Sequence, residues 1–242
     1  MTDAVEDHEG SVSIRGRTIT NLRFAGDIDG LAAEEEELAK LVERFDKASR
    51  AYGMEISAEK TKLMTINTSG INTEMKANGQ KLEIATSFKY LGSVITDEDS
   101  QPEILSRIAQ TTAALTRLKP VWNDRSNSLS CKIQLIRSHV TFIFLYACES
   151  WTLTAELQRR IQAMEMRCYR KLLRISFKDH FTKEEVRAKI QQAIRQHKDL
   201  LIIVKRHKLQ WYGHVSSSSG LTKTILQGTV KGERRQDRQK TR

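Results

Sequence analysis

Cysteine is scarce, long apolar runs are missing, and acidic residues thin out toward one end of the chain. The three cysteines, Cys131, Cys148 and Cys168, show no CxxC spacing and lie in apolar or amphipathic surroundings. An odd count of this kind predicts reduced, buried thiols rather than a disulfide framework. A zinc site would need Cys168, His180, His207 and His214 to converge, and their spacings match no compact knuckle or finger. No segment approaches the roughly 20 apolar residues of a membrane span. The longest runs, "VTFIFLYAC" (140–148) and "LLIIV" (200–204), predict buried helix or strand. The opening "MTDAVEDHEG" is acidic and polar, the opposite of a secretory or mitochondrial signal. The expectation is a cytoplasmic or nuclear protein that is not secreted and does not enter a membrane.

What is present is charge, unevenly placed. From residue 156 onward there are 22 Lys and Arg against 8 Asp and Glu, whereas residues 1–155 hold 18 and 22. A basic C-terminal third on a near-neutral body is the footprint of a polyanion binder. The alternative is a solvated helix surface, on which acidic residues normally interleave. With 242 residues, 39% of them hydrophobic, the chain can bury one large or two small cores.

The pattern along the chain predicts an α+β fold. Residues 1–10 read as disordered. "SVSIRGRTITNLRF" (11–24) alternates apolar and polar residues and predicts two strands around Gly16, the second running through Ile19, Leu22 and Phe24. "AGDI" supplies turn chemistry. "EEEELAKLVERFDKASRAYG" predicts a helix with Leu38, Leu41, Phe45, Ala48 and Tyr52 on one face, glutamates at its positive end and Gly53 just past its end. "KTKLMTI" (60–66) is a strand candidate, and "ANGQ" suits a tight hairpin turn.

After residue 101 helices take over. "PEILSRIAQTTAALTRLKPVW" has Pro102 in its first turn and Pro120 at its end. Further helices are predicted through "SLSCKIQLIRSHVTFIFLYACESW", through "AELQRRIQAMEMRCYRKLLRI" after an N-cap at Thr154, and in "TKEEVRAKIQQAI" and "DLLIIVKRHKLQWYGHV". "SSSSG" (216–220) is a flexible break, and "KGERRQDRQKTR" a disordered basic tail.

Chemistry is concentrated in a few places. A strand–turn–strand presenting Asp27 and Asp29 is one way to aim hard oxygen ligands at Mg²⁺, although a lone Asp on a turn is more commonly a turn residue. Nucleotidyl transfer uses two such ions about 3.5–4 Å apart, held by several converging carboxylates. Arg160, Arg167, Arg170, Lys171 and Arg174 lie partly on one helix side, and Lys205, Arg206 and Lys208 stand beside Trp211 and Tyr212. Such cations suit phosphates, while the two aromatics suit either base stacking or core anchoring.

"ITNLRFAGDIDGLA" resembles the catalytic hairpin of reverse transcriptases from non-LTR (LINE-type) retrotransposons, where Phe/Tyr-Ala-Asp-Asp precedes Ile-Asp-Leu-Leu-Ala. "YGMEISAEKTKLM" is similar to the next palm motif, "FKYLGSVIT" to the primer-grip hairpin. "RLKPVW", "LYACESWTL", "MRCYRKLLRIS", "KLQWYGHV" and "RRQDRQKTR" resemble the thumb and C-terminal region. The resemblance runs in the family's order from about residue 12 and identifies the chain with the C-terminal part of an endonuclease/reverse transcriptase. It implies a partial palm over 11–97, thumb-like helices over 98–155, a basic helical region over 156–215 and a flexible basic tail over 216–242.

It further implies a remnant catalytic and metal-binding role for Asp27, a pyrophosphate-assisting role for Lys60, and a primer-grip role for Phe88, Leu91 and Gly92. Mg²⁺ is the implied cofactor; RNA, DNA or their hybrid is the implied partner. Two departures count against activity in this chain. Gly26 stands where the family has the leading Asp of the pair, and Gly30 replaces a leucine. Losing one charged ligand of this kind costs several kcal/mol of transition-state stabilisation, of the order of other electrostatic elements. The fingers and the other metal-binding Asp motif also lie upstream in the family, so they are expected on another chain if they are supplied at all. The expected biochemistry is therefore RNA or DNA binding without polymerisation. A helical interaction module or a decayed reading frame is the alternative.

Overall fold

The computed structural model describes residues 10–65, 74–96, 99–194 and 198–227. It is a mixed α+β fold, with strand pairs around one long helix first and helices after them, and it divides into two compact units, 1–86 with 214–242 and 87–213. Residues 1–9 of the segment 1–10 expected to be disordered, and all of the tail 231–242 expected to be so, lie outside the described residues, as does the end of the strand expected over 60–66.

In the first unit β1 (Ser13–Ile14) pairs antiparallel with β2 (Arg17–Thr18), and β3 (Asn21–Phe24) with β4 (Asp27–Gly30). The expected continuous strand through Ile19, Leu22 and Phe24 is broken. Ile19 still donates its N–H to Val12, but Thr20 accepts from Leu31, so the pairing partner changes there. α1 (Glu35–Ala51) buries Leu41, Phe45 and Ser49. It ends one residue before Tyr52, which is therefore 63% exposed rather than part of the apolar face. Gly53 follows at φ +68°, the left-handed residue that satisfies the helix end. β5 (Lys62–Leu63) pairs in parallel with β8 (Glu83–Ile84), and β6 (Lys76–Ala77) forms a hairpin with β7 (Gln80–Lys81). Asn78 and Gly79 turn that hairpin at φ 52° and 74°, as an Asn-Gly pair should. Leu63, Met75, Ala77 and Leu82 make the small core under α1.

The second unit opens with the hairpin of β9 (Ser87–Tyr90) and β10 (Ser93–Thr96) and continues in helices. α2 (Gln101–Arg117) carries Ile104, Thr111 and Leu115 inward. Pro120 does not end that helix; it lies in the first turn of α3 (Lys119–Asn123), where a missing N–H costs nothing. α4 (Leu129–Leu135) starts from the Ser128 cap, passes through one π-helical turn (Ile136–Val140) and continues as α5 (Thr141–Leu145). The helix expected as far as Trp151 stops here, because Ala147 takes a left-handed conformation at φ 56°.

A 3₁₀ turn (Cys148–Ser150) then leads to α6 (Ala155–Leu172), capped by the Thr154 hydroxyl as expected. α7 (Lys183–Ala193) begins with a capping box between Thr182 and Glu185. α8 (Leu200–Ser217) takes in half of the serine run expected to be flexible; α9 (Leu221–Gln227) comes next in the chain and belongs to the first unit. Trp122, Trp151, Phe144, Leu157 and Ile161, each at most 1% exposed, lie in one large core. Cys148 and Cys168 are buried, whereas Cys131, expected to be buried too, is exposed on α4. No helix among the described residues is long and apolar enough to cross a membrane.

Candidate functional site

The hairpin carrying Asp27 pairs Phe24 with Asp27 and Leu22 with Asp29. Directly opposed residues share a face, and that face alternates along each strand, so the two carboxylates stand together beside the exposed Leu22 and Phe24. The other face, with Gly30, packs on α1. A Cβ at Gly30 would sit 3.1 Å from Leu41 Cδ2 and 3.5 Å from Leu38 Cδ1, so the missing side chain is what lets the helix approach.

At the turn the left-handed conformation falls on Ala25 (φ 52°), and a Cβ at Gly26 would meet nothing within 4 Å. Backbone geometry therefore does not require glycine at position 26. Mg²⁺ wants several converging oxygen ligands, and Gly26 offers none. The hairpin's donor set does not fit a two-ion centre. Lys60, expected on a strand, is instead exposed in the turn before β5, and Lys62 pairs with Glu83.

The second hairpin is held far more firmly. Leu91 and Gly92 turn it at φ 47° and 84°, and Phe88 stands opposite Ile95. Glu103, on α2, accepts the Val94 N–H at 2.6 Å through Oε2 and the Arg107 Nε–H at 2.6 Å through Oε1. Arg107 Nη2 donates to the Gly92 carbonyl, and its guanidinium lies 4.5 Å from the Tyr146 ring centroid. The Tyr146 hydroxyl donates to the Leu91 carbonyl. Glu103 and Arg107 are buried, so a desolvated ion pair fastens the tip of the hairpin. The i,i+4 spacing of this pair was visible in the sequence; its backbone partners were not.

The predicted cations divide into two sets. Arg170 donates to the Phe181 carbonyl at 2.9 Å, Arg174 to the carbonyls of Trp122 and Asn123, and Lys208 to those of Glu149 and Trp151. These three tie loops to helices. Burial also pushes the Lys208 ammonium below its ordinary pKa, against the opposing pull of Cys148 and Glu149. Arg160 pairs with Glu156 at 2.9 Å, and Lys171 reaches Thr116 at 3.3 Å.

Arg167, Lys205 and Arg206 are exposed. On α8, Ile202, Lys205, Arg206, Leu209 and Tyr212 follow one another at three- and four-residue spacing, and all are exposed, Leu209 by 71%. A cationic strip with apolar and aromatic groups therefore runs along the outer face of that helix.

The histidine and cysteine that meet are not those a sequence spacing would choose. Cys148 Sγ lies 3.7 Å from His207 Nδ1, and with Glu149 they form a group whose ligating atoms lie within 4.8 Å of one another. Cys168 instead lies 3.7 Å from Met164 Sδ, one turn away on its own helix. The 59 residues between Cys148 and His207 left no local signal.

No family model matches the chain, and no solved structure matches it. The chain is similar to an uncharacterized transposon-derived protein of Caenorhabditis elegans, with 28% identity over 207 residues, covering 84% of this chain and 74% of the relative. That similarity supports a transposon-related origin.

Proposed function

We propose that this chain is a non-catalytic piece of a non-LTR retrotransposon reverse transcriptase, and that it binds RNA, DNA or their hybrid through phosphates. The observation that carries the reading is the outer face of α8, where Lys205 and Arg206 flank Leu209 and Tyr212 without being drawn into loop ties. Cations so placed track a phosphate backbone, and an aromatic beside them suits an unpaired base. Recognition of this kind positions the nucleic acid and reads little sequence. The motif order supports the family, the transposon-derived relative supports a transposon origin, and the single-Asp turn at Gly26 supports loss of polymerisation.

The test is fluorescence anisotropy of the full chain with a labelled RNA–DNA hybrid across a salt series. A steep negative log–log salt slope is expected, and Lys205→Ala with Arg206→Ala should make it shallower by about 2, roughly one per phosphate contact. No binding at low salt, or a slope that the double substitution leaves unchanged, rejects the reading. Magnesium-dependent primer extension by the same preparation should be absent.

A further inference from the structure

We propose that Cys148, Glu149 and His207 form a binding site for a zinc-class divalent cation. The three groups arrive from two elements that are already fixed. Ala147, left-handed at φ 56°, turns the chain out of α5 so that Cys148 and Glu149 start the 3₁₀ turn together. Lys208 then bridges the turn to α8 by donating to the carbonyls of Glu149 and Trp151. His207 is its neighbour on that helix, and its ring is held over Cys148.

The separation is right for metal ligation. Tetrahedral bonds of about 2.3 Å to sulfur and 2.0–2.1 Å to nitrogen place those atoms about 3.6 Å apart. The observed Sγ to Nδ1 distance is 3.7 Å, so a metal could enter with little movement of either side chain. A thiolate, an imidazole and a carboxylate form the donor set of zinc and its substitutes; Mg²⁺ and Ca²⁺ take oxygen ligands and are poorly matched.

Three protein ligands leave a fourth position for water or an incoming group, the arrangement of an open rather than a closed zinc site. Lys208 is the opposing charge nearby, and its ammonium is turned onto the two carbonyls. The bound ion would clamp the 3₁₀ turn against α8, at the residue following Arg206. This site is separate from the Asp27 hairpin in both residues and donor chemistry.

The experiment is a Co²⁺ titration of the full reduced chain after chelator treatment, followed by displacement with Zn²⁺. A thiolate-to-cobalt charge-transfer band in the near ultraviolet, saturating at one ion per chain, is expected. Cys148→Ser should abolish the band, while Cys131→Ser should keep it. His207→Gln should weaken Zn²⁺ binding by at least about 10–100-fold, the loss seen even for outer-shell partners. Because Cys148 is fully buried and its replacement could prevent folding, circular dichroism is recorded for every variant, and His207→Gln decides the case on a folded chain. Absence of a band at micromolar Co²⁺ overturns the proposal. So does a band that disappears with Cys131 instead, or Zn²⁺ affinity that His207→Gln leaves unchanged.

Discussion

The two hairpins that the family resemblance singles out differ in how they are held. The one bearing Asp27 leans on α1 through the bare backbone of Gly30, and its other face leaves Phe24 61% exposed. The one bearing Leu91 and Gly92 has both turn carbonyls and the Val94 N–H taken up by Glu103, Arg107 and Tyr146. The same contrast separates the two units. The helical unit buries two tryptophans and a phenylalanine in a continuous core, while the strand unit has a four-residue cluster among two-stranded pairs. A two-stranded ribbon is marginal by itself. Helices complete their own hydrogen bonds and need only a packed face, whereas strands depend on neighbours for both. A helical region therefore tolerates the loss of sequence around it better than a sheet does.

The sharpest way to break this comparison is Arg107→Ala. It would leave the Glu103 carboxylate buried without its partner and should cost about 3–5 kcal/mol in urea denaturation. Replacing both residues by apolar ones should cost less than either single change. A surface-like effect of 0.5 kcal/mol or less would show that the hairpin is not fastened as described. Next in size is Gly30→Leu, the residue that the resembled reverse transcriptases carry there. Its Cβ would press on Leu41, and roughly 1–3 kcal/mol of destabilisation is expected from overpacking.

A smaller effect concerns pH. Glu165 in α6 accepts the Leu200 N–H at 2.7 Å and the Tyr169 hydroxyl at 3.0 Å, and burial raises its carboxyl pKa above the ordinary 4.5. The folded chain therefore holds this proton more tightly than the unfolded one. Its contribution is complete below pH 4.5 and is lost as pH rises through the raised value. Stability of the native chain should fall relative to Glu165→Gln across that window, and denaturation series at several pH values check it.

The smallest effect on stability is expected from Gly26→Asp. With open space around the added Cβ and no left-handed φ to strain, it should change stability by no more than about 0.5 kcal/mol. It would nevertheless add a third carboxylate to the hairpin, next to Asp27 in the chain. Isothermal titration with Mg²⁺ should then show heat of binding that the native chain lacks. Equal binding in both would mean that Gly26 is not the lesion.

Sequence alone determined the local elements of this protein. The Thr154 cap, the Asn78–Gly79 turn, Gly53 after α1 and the amphipathic faces of α2 and α6 each depend on a few neighbouring residues, and all stand where the pattern put them. The α+β order and the uneven charge were legible for the same reason. Element ends were less so: α5 stops early because Ala147 takes an unusual φ, and Pro120 opens a helix that the pattern had it close.

Only the tertiary structure decided which cations are tied to backbone carbonyls. Arg170, Arg174 and Lys208 are indistinguishable in sequence from Lys205 and Arg206, yet the former meet carbonyls on distant segments and the latter do not. It also brought Cys148 to His207 across 59 residues. Short-range periodicity sets which face of a helix is apolar; what that face and its cations finally touch is set by long-range packing, to which no local spacing refers.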